Sequence, residues 1–232
     1  MSDPLLLLPG MMCDARLFSH QVTTFSASRS VSVAPLTQAD NFTDLAKIVL
    51  ETAPPKFALA GLSMGGIAAM EIIRLAPHRV THLALMDTNA LPDTPERRAD
   101  RDVQIAKARS GGLYDIMRDE MKPNYLADGP NKADILDLCM QMAHTLGPDV
   151  FVNQSKALQG RADQTNTLKN IAVPTLILCG REDALCPVEK HEFMQSLIPG
   201  SQLAVIEDAG HLPVLEKPAM VNGVLENWFN SP

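Results

Sequence analysis

The sequence lacks the features that mark nucleic-acid-binding, secreted and membrane-spanning proteins. Its 20 Lys and Arg are outnumbered by 27 Asp and Glu, and a net charge of −7 offers no basic surface to a phosphate backbone. The apolar run near the start, LLLL, has no basic residue ahead of it and is too short for a signal-peptide core or a membrane span. We therefore expect a cytoplasmic protein that binds neither nucleic acid nor a membrane.

Patterns for disulfides and metal sites are also missing. The four cysteines are dispersed with no CxxC pair, which is typical of reduced thiols rather than of a zinc site or a disulfide framework. They are Cys13, Cys139, Cys179 and Cys186. His78 and His82 are four residues apart, but a helix end and a strand start separate them, so they do not share a helical face as two metal ligands would. We expect no metal and no cofactor.

Short apolar runs alternate with longer helical patterns along most of the chain, as in proteins built from strand and helix units around a parallel sheet. We predict an α/β fold with a mostly parallel sheet of about six strands and helices on both faces. The predicted strands are 5–8, 31–34, 57–60, 80–86, 175–179 and 203–206. The predicted helices of this core are 43–52, 65–76, 188–197 and 219–229.

A helical insertion interrupts this pattern. From about residue 88 to 163 the strand signals stop and four helical patterns follow one another. The first begins where Thr94 can cap a helix and Pro95 can occupy its first position. We therefore divide the 232 residues into a core, formed by residues 1–87 and 164–232, and a helical insertion, formed by residues 88–163.

One serine lies between two glycines at a predicted turn from strand to helix. The stretch FALAGLSMGGIAAM contains GLSMG, in which Gly61 and Gly65 give a strand and a helix room to pass close to each other around Ser63. The helix that follows directs its free N–H groups toward the serine, which favours negative charge there. Neither a P-loop nor a GxGxxG turn fits these residues. Ser63 is a candidate nucleophile, provided that the chain supplies a base and an acid.

A serine hydroxyl is a poor nucleophile at neutral pH and needs a histidine base that a carboxylate holds in place. His211 lies in a loop between the last predicted strand and the last helix, at the carboxyl-end edge of the sheet where sites collect. Asp183 follows the preceding strand in the same way and is our choice of acid. Its neighbour Glu182 fits the spacing too, and Asp87, at the end of the fourth strand, is a further alternative.

The order Ser63, Asp183 and His211, in segments of the form GxSxG, GxxD and GH, resembles the α/β-hydrolase fold superfamily. The resemblance covers nearly the whole chain. It implies a serine esterase or lipase-like enzyme with a catalytic triad, in which the helical insertion is a cap domain.

The resemblance also implies an oxyanion hole. The stretch LLLLPGMMCDARLF is similar to the family's first oxyanion loop, with Pro9 in place of the usual histidine. By this likeness the backbone N–H groups of Met11 and Met64 would receive the oxyanion, and Met12 is an alternative to Met11.

Methionines recur near the predicted site and suggest an apolar, adaptable pocket, although methionines at helical spacing are more often ordinary core. The candidate substrate-binding residues are Met12, Met117, Met121 and Met142. We find no obvious basic cluster committed to a carboxylate or a phosphate. Four arginines could nevertheless approach the site, namely Arg16, Arg97, Arg98 and Arg161.

We predict a serine hydrolase, of the carboxylesterase type, that cleaves a small carboxylic ester through an acyl-enzyme. A lactonase, a carbon–carbon bond hydrolase or a perhydrolase could use the same triad, and the sequence does not separate them. A non-catalytic ligand-binding protein on the same scaffold is a third interpretation. An intact triad argues against it, because such a protein has no physical need for a matched base and acid.

Overall fold

The computed structural model describes residues 3–230, and its centre is a six-stranded sheet in which every neighbouring pair of strands is parallel. The strands are β1 (Leu5–Leu8), β2 (Val31–Val33), β3 (Phe57–Leu62), β4 (Val80–Met86), β5 (Thr175–Gly180) and β6 (Gln202–Ile206). Across the sheet their order is β2, β1, β3, β4, β5, β6. The predicted α/β class and sheet are confirmed, while residues 1–2 and 231–232, at the ends of the predicted core, lie outside the described residues.

Helices pack on both faces of the sheet and connect its strands. They are α1 (Ser19–Phe25), α2 (Phe42–Thr52), α3 (Met64–Leu75), α4 (Pro95–Lys107), α5 (Leu113–Asp115), α6 (Lys132–Gln159), α7 (Thr165–Lys169), α8 (Val188–Leu197), α9 (Pro213–Glu216) and α10 (Pro218–Phe229). Tight 3₁₀ turns occur at Ala15–Phe18, Pro77–Arg79 and Lys122–Asn124, and wide π-type turns at Ala108–Gly112 and Ile116–Met121. Sequence reasoning missed the short helices α1, α7 and α9.

Side chains of the strands alternate between two hydrophobic clusters, one on each face of the sheet. In β1, Leu6 and Leu8 join the cluster that contains the apolar sides of α2 and α3, whereas Leu5 and Leu7 join the cluster of α1 and α10. A parallel strand covered on both faces must be apolar at every position, which explains why four consecutive leucines form a strand here.

The segment between β4 and β5 is helical. The Arg97 N–H donates to the Thr94 hydroxyl oxygen at 3.2 Å, so Thr94 caps α4 as expected. The predicted third and fourth helices follow each other within α6, and the non-helical backbone of Gly147, with φ of 77° and ψ of 176°, separates them where the sequence placed the break. The last helix before β5, α7, packs against α3 and α8 of the core. Within the described residues, every helix falls short of the length or the apolar composition that a membrane crossing demands.

Two glycines allow β1, β3 and α3 to meet. A Cβ atom at Gly61 would overlap the carbonyl oxygen of Gly65, and one at Gly65 would overlap the carbonyl oxygen of Leu8. In the sheet β1 and β3 are neighbours. The chain runs from β1 to β2 on one side and from β3 to β4 on the other side, so the connections that follow β1 and β3 leave in opposite directions. In open α/β sheets such a reversal leaves a crevice at the carboxyl ends of the strands, where ligands bind. Ser63 and Gly10, just beyond β3 and β1, border that crevice.

We expect Gly65→Ala to destabilise the protein by about 3 kcal/mol or more, because the new methyl group meets backbone that no side-chain rotation can move. Gly223→Ala in α10 is the matched control, since a Cβ there meets nothing within 4 Å and alanine favours a helix by up to ~1 kcal/mol. Urea denaturation of the two variants measures the difference. Equal midpoints would contradict the close approach at Gly65.

Candidate active site

Ser63 joins β3 to α3 with a backbone conformation that residues with a side chain seldom adopt. Its φ is 56° and its ψ is −115°, and such strain costs on the order of 1–3 kcal/mol unless the surroundings enforce it. The Ser63 N–H donates to the Met86 carbonyl at 2.8 Å, and the Thr88 hydroxyl donates to the Ser63 carbonyl at 2.8 Å. The end of β4 therefore holds the turn from both sides of the serine.

Thr88 is itself held by a buried histidine. His191, in α8, is fully buried, and its Nε2 accepts the Thr88 N–H at 3.0 Å. Its Nδ1 lies 3.2 Å from the Pro187 carbonyl, so the proton on the neutral ring sits on Nδ1. Burial lowers the pKa of His191 from 6.5 to about 4. This ring is neutral at neutral pH and supports the serine turn through Thr88.

Three residues from three loops form one hydrogen-bonded chain. Ser63 Oγ lies 2.9 Å from His211 Nε2, and His211 Nδ1 lies 2.8 Å from Asp183 Oδ2. When the ring proton is on Nδ1 and is donated to the Asp183 carboxylate, Nε2 has a free lone pair that accepts the serine hydroxyl. This arrangement can take the proton from Ser63 while its oxygen attacks an electrophile. The structure thus brings together the three residues that the sequence selected.

The loop around Asp183 keeps that carboxylate charged. Its Oδ1 accepts the N–H groups of Leu185 at 2.8 Å and Cys186 at 2.9 Å. Burial opposes the charge, but the attraction of His211, its hydrogen bond and the two backbone donors outweigh burial and lower the pKa of Asp183. A carboxylate that stays ionised can stabilise the positive charge that His211 acquires.

Asp183, and neither of the two alternative acids, is the carboxylate hydrogen-bonded to His211. Glu182 is exposed on the loop surface, with its N–H bonded to the Ala209 carbonyl. Asp87 is fully buried at the end of β4, where its Oδ1 accepts the Gly180 N–H at 2.9 Å. Burial first, and then the negative charge of Asp183, raise the pKa of Asp87 well above its ordinary value. Burial and the neighbouring charge of Asp183 thus both favour the protonated form of Asp87.

The loop that carries His211 is fixed by a carboxylate that sequence reasoning missed. Glu216 accepts the N–H groups of both neighbours of the histidine, Gly210 at 2.9 Å and Leu212 at 3.1 Å, and also that of Ala127 at 2.9 Å. Burial raises the pKa of Glu216 despite these three donors. A lone glutamate in the apolar stretch HLPVLEKP was the only available signal.

The structure separates the two candidates for the first oxyanion donor. The Met12 N–H donates to Gln154 Oε1 at 2.8 Å, and the Gln154 amide in turn donates to the Leu36 carbonyl. That bond occupies Met12 and leaves Met11 as the candidate. Met64 is the first residue of α3, a position where the backbone N–H has no acceptor within the helix.

A cavity of about 500 Å³ opens beside this chain of residues, and Ser63 and His211 line it. Met11, Met64 and Met121 form part of its apolar wall. A more open cavity of about 690 Å³, between residues 126–135 and residues 216–217, contains no member of the hydrogen-bonded chain. The smaller cavity is the one that can hold a substrate next to the serine.

Three of the four methionines proposed for substrate binding pack in the hydrophobic core and do not line the cavity. Met12 and Met117 are 1% exposed and Met142 is fully buried, and none of the three lines the cavity. The apolar side of an inserted helix must first bury the helix itself, so methionines there pack in the core. Of the four, Met121 alone borders the cavity.

Of the four arginines that the sequence offered as neighbours of the site, two line the cavity and two do not. Arg97 and Arg161 line the cavity, as does Arg101, which sequence reasoning missed. Arg16 pairs with Asp14 and Arg98 is exposed on α4.

The closest grouping of metal-ligand types among the described residues is Asp183, Cys186 and His211, whose ligand atoms lie within 4.8 Å of one another. Both nitrogens of His211 are already engaged by Asp183 and Ser63. Burial raises the pKa of Cys186 to about 12, so its thiol is protonated at neutral pH and is a weak metal ligand. The donor set suits a proton relay better than a metal ion.

Comparison with known proteins identifies relatives over the whole fold. Residues 5–224 match the model of a family described as the alpha/beta hydrolase family. The malate-bound structure of a thermophilic esterase from Thermogutta terrifontis has a TM-score of 0.90 and 29% identity, covering 99% of this chain and 90% of that chain. The enol-lactonase from Burkholderia xenovorans LB400 has a TM-score of 0.89 at 19% identity, covering 100% and 92%. The pimeloyl-[acyl-carrier protein] methyl ester esterase of Legionella pneumophila (strain Paris) is 25% identical over 78% of this chain and 73% of its own length.

We expect acid to weaken the fold through His191. Because its pKa is about 4 in the folded chain and about 6.5 when unfolded, its contribution is complete above pH 6.5 and is lost as the pH falls from 6.5 toward 4. The free energy of unfolding should fall by up to ~1.4 kcal/mol per pH unit in that window. Thermal melts between pH 7 and pH 4.5 measure this slope.

His191→Asn keeps an acceptor for the Thr88 N–H and should show a shallower slope, whereas His78→Gln, at an exposed histidine, should melt like wild type. An unchanged slope in His191→Asn would contradict the assignment of a buried neutral ring.

Proposed function

Since this chain belongs to the alpha/beta hydrolase family, we propose that it is a serine hydrolase that cleaves small carboxylic esters through an acyl-enzyme. The observation that carries the proposal is the continuous hydrogen-bonded chain from Ser63 through His211 to Asp183 at the wall of a cavity. The three relatives described above are two esterases and an enol-lactonase, and the hydrolysis that their names share supports the proposal.

In the first half of the reaction Ser63 Oγ attacks the ester carbonyl carbon while His211 Nε2 takes the hydroxyl proton. Asp183 keeps the imidazole in the required tautomer and stabilises its positive charge. The tetrahedral intermediate collapses when the bond from carbon to the alkoxide oxygen breaks and His211 returns the proton to that oxygen. The alcohol leaves, and the acyl group stays on Ser63.

The carbonyl oxygen becomes negatively charged in this step. We assign its stabilisation to the backbone N–H groups of Met11 and Met64, with the positive end of α3 adding to the field. Backbone donors of this kind are already oriented when the charge develops, and the loss of one costs on the order of a hundredfold in kcat.

In the second half, a water molecule enters from the cavity and His211 removes its proton as the water oxygen attacks the acyl carbon. Ser63 leaves with that proton, and the carboxylic acid is released. A cyclic ester can follow the same steps, because only the connection between acyl and alkoxide parts differs. In this proposal the helical insertion acts as the cap that shapes the cavity, since Arg97, Arg101 and Met121 reach the cavity wall from it.

We expect wild-type protein to hydrolyse short 4-nitrophenyl esters, and Ser63→Ala to lose about 10⁴-fold or more in kcat, because no other group can form the acyl-enzyme. The same assay series includes simple lactones, so that ester and lactone hydrolysis are compared for each variant. A fluorophosphonate probe should label wild type stoichiometrically, as intact-protein mass spectrometry would show.

Ser196→Ala, at an exposed serine of α8, is the matched control and should keep wild-type activity and labelling. Activity or labelling that survives unchanged in Ser63→Ala would refute the proposal. Lactone turnover without ester turnover would move the protein to the lactonase alternative.

We also expect Asp183→Asn to lower kcat by about 10⁴-fold, because an amide neither holds the required tautomer nor balances the imidazolium. Asp87→Asn should stay within about tenfold of wild type, since an amide oxygen can still accept the Gly180 N–H and the raised pKa of Asp87 already favours an uncharged side chain there. Steady-state kinetics on one nitrophenyl ester compare them.

Glu182→Gln, at the exposed neighbour, controls for charge removal in the same loop and should retain wild-type rates. If Asp183→Asn kept near-wild-type activity while Asp87→Asn lost it, the role of the acid would pass to Asp87.

A further inference from the structure

Two buried arginines in the cavity wall have no part in the proposed mechanism. Arg101 extends from α4 and Arg161 from the chain just after α6, and their side chains are only 7% and 10% exposed. Both bind one carboxylate: Arg101 Nε lies 2.6 Å from Asp93 Oδ2, and Arg161 Nη2 lies 3.0 Å from Asp93 Oδ1. All three residues line the cavity that contains Ser63.

This cluster carries more positive than negative charge. Burial lowers the pKa of both guanidinium groups, but arginine remains protonated at any physiological pH. Two guanidinium groups therefore share a single carboxylate, which is 4% exposed. One positive charge is left without a partner in a largely buried setting. A buried unpaired charge is costly, and a structural ion pair would need only one of the arginines.

The rest of the cavity wall does not supply the missing anion. Arg97 and Lys190 add further cations to the lining; Arg97 lies 3.8 Å from Asp100 Oδ2, outside the lining, and Lys190 donates to the Leu185 carbonyl. The other acidic lining residue, Glu120, already binds Lys107 at 2.8 Å. An excess of cations in this cavity contrasts with the net charge of −7 of the whole chain. The positive potential is thus local to the place where a substrate would sit.

The position of the cluster relates it to the reaction. Arg101 Nη1 lies 4.0 Å from the sulfur of Met11, the residue whose N–H we assign to the oxyanion hole. Arg161 donates from Nε to the Leu91 carbonyl and from Nη2 to the Asp93 carboxylate. Among these contacts Nη1 has no protein partner. A guanidinium N–H group of this kind can donate a charge-assisted hydrogen bond to a carboxylate oxygen.

We propose that Arg101 and Arg161 form a carboxylate-binding subsite, and that the preferred substrates are esters that carry a free carboxylate besides the ester group. The inference rests on the proposed ester hydrolysis and adds its substrate class. One uncompensated positive charge matches a singly charged carboxylate, whereas a dianionic phosphate would leave negative charge in excess at this pair.

Two methyl esters of the same diacid test the subsite. Monomethyl glutarate keeps a free carboxylate, and dimethyl glutarate is its neutral counterpart of nearly equal size. We expect wild-type kcat/KM, measured by methanol release, to be about tenfold to a hundredfold higher for the half-ester, as charge-assisted hydrogen bonds to a buried cation would give. Equal values for the two esters would overturn the subsite.

Arg161→Gln leaves Asp93 and Arg101 as a balanced pair, so the ratio of the two kcat/KM values should fall to about one. Arg98→Gln removes an exposed arginine from α4, outside the cavity lining, and should keep the wild-type ratio. The ratio is an internal measure, because a general loss of folded protein lowers both values equally. A wild-type ratio in Arg161→Gln would also overturn the proposal.

Inhibition of wild type gives a second test that needs no variant. The glutarate half-amide, which carries one carboxylate, should inhibit hydrolysis of 4-nitrophenyl acetate competitively, at least about tenfold more strongly than the neutral diamide glutaramide, and less strongly at high salt. Equal inhibition by the half-amide and the diamide, or stronger inhibition by inorganic phosphate than by the half-amide, contradicts a carboxylate subsite. Failure to hydrolyse 4-nitrophenyl acetate above the Ser63→Ala background would instead refute ester hydrolysis itself.

Discussion

The close approach of three backbone segments at Gly61, Gly65 and Leu8 is the constraint on which the site depends. Because neither glycine has room for a Cβ atom, α3 can start directly against the ends of β1 and β3. That contact forces Ser63 into a positive φ and directs the first N–H groups of α3 toward the crevice. The same contact brings the loop after β1, with Met11, to the serine. The proposed nucleophile and both proposed oxyanion donors are therefore positioned by one packing requirement.

Most of the fold could be predicted, because its signals are local. Four leucines between two prolines indicate a short strand buried on both faces, and a serine with a glycine two positions away on each side, at the end of a strand, predicts a sharp turn. Asp183 and His211 were recognisable because each follows a strand, and carboxyl ends of parallel strands share one edge. The order along the chain thus determined which loops meet.

The remaining features of the site depend on contacts between distant parts of the chain. Gln154 binds the N–H of Met12 across 142 positions, and no local pattern indicates such a partner. Helical spacing marked Met117 and Met142 as apolar, but it cannot tell whether that side of a helix meets a cavity or the core. Arg101 was overlooked because no local pattern shows that Arg161, from the far end of the insertion, shares the carboxylate of Asp93 with it.

Buried charge is compensated around Asp183, near the serine, but is in excess at Arg101 and Arg161 in the cavity wall. Near the serine, Asp183 keeps its charge because two backbone N–H groups and His211 compensate it, while burial and the charge of Asp183 raise the pKa of the adjacent Asp87 and favour its uncharged form. A carboxylic acid can neutralise itself in this way, but a guanidinium cannot. The excess positive charge at Arg101 and Arg161 must therefore be balanced by something outside the described chain. An anionic part of the substrate is the partner that the position of these residues in the cavity wall favours.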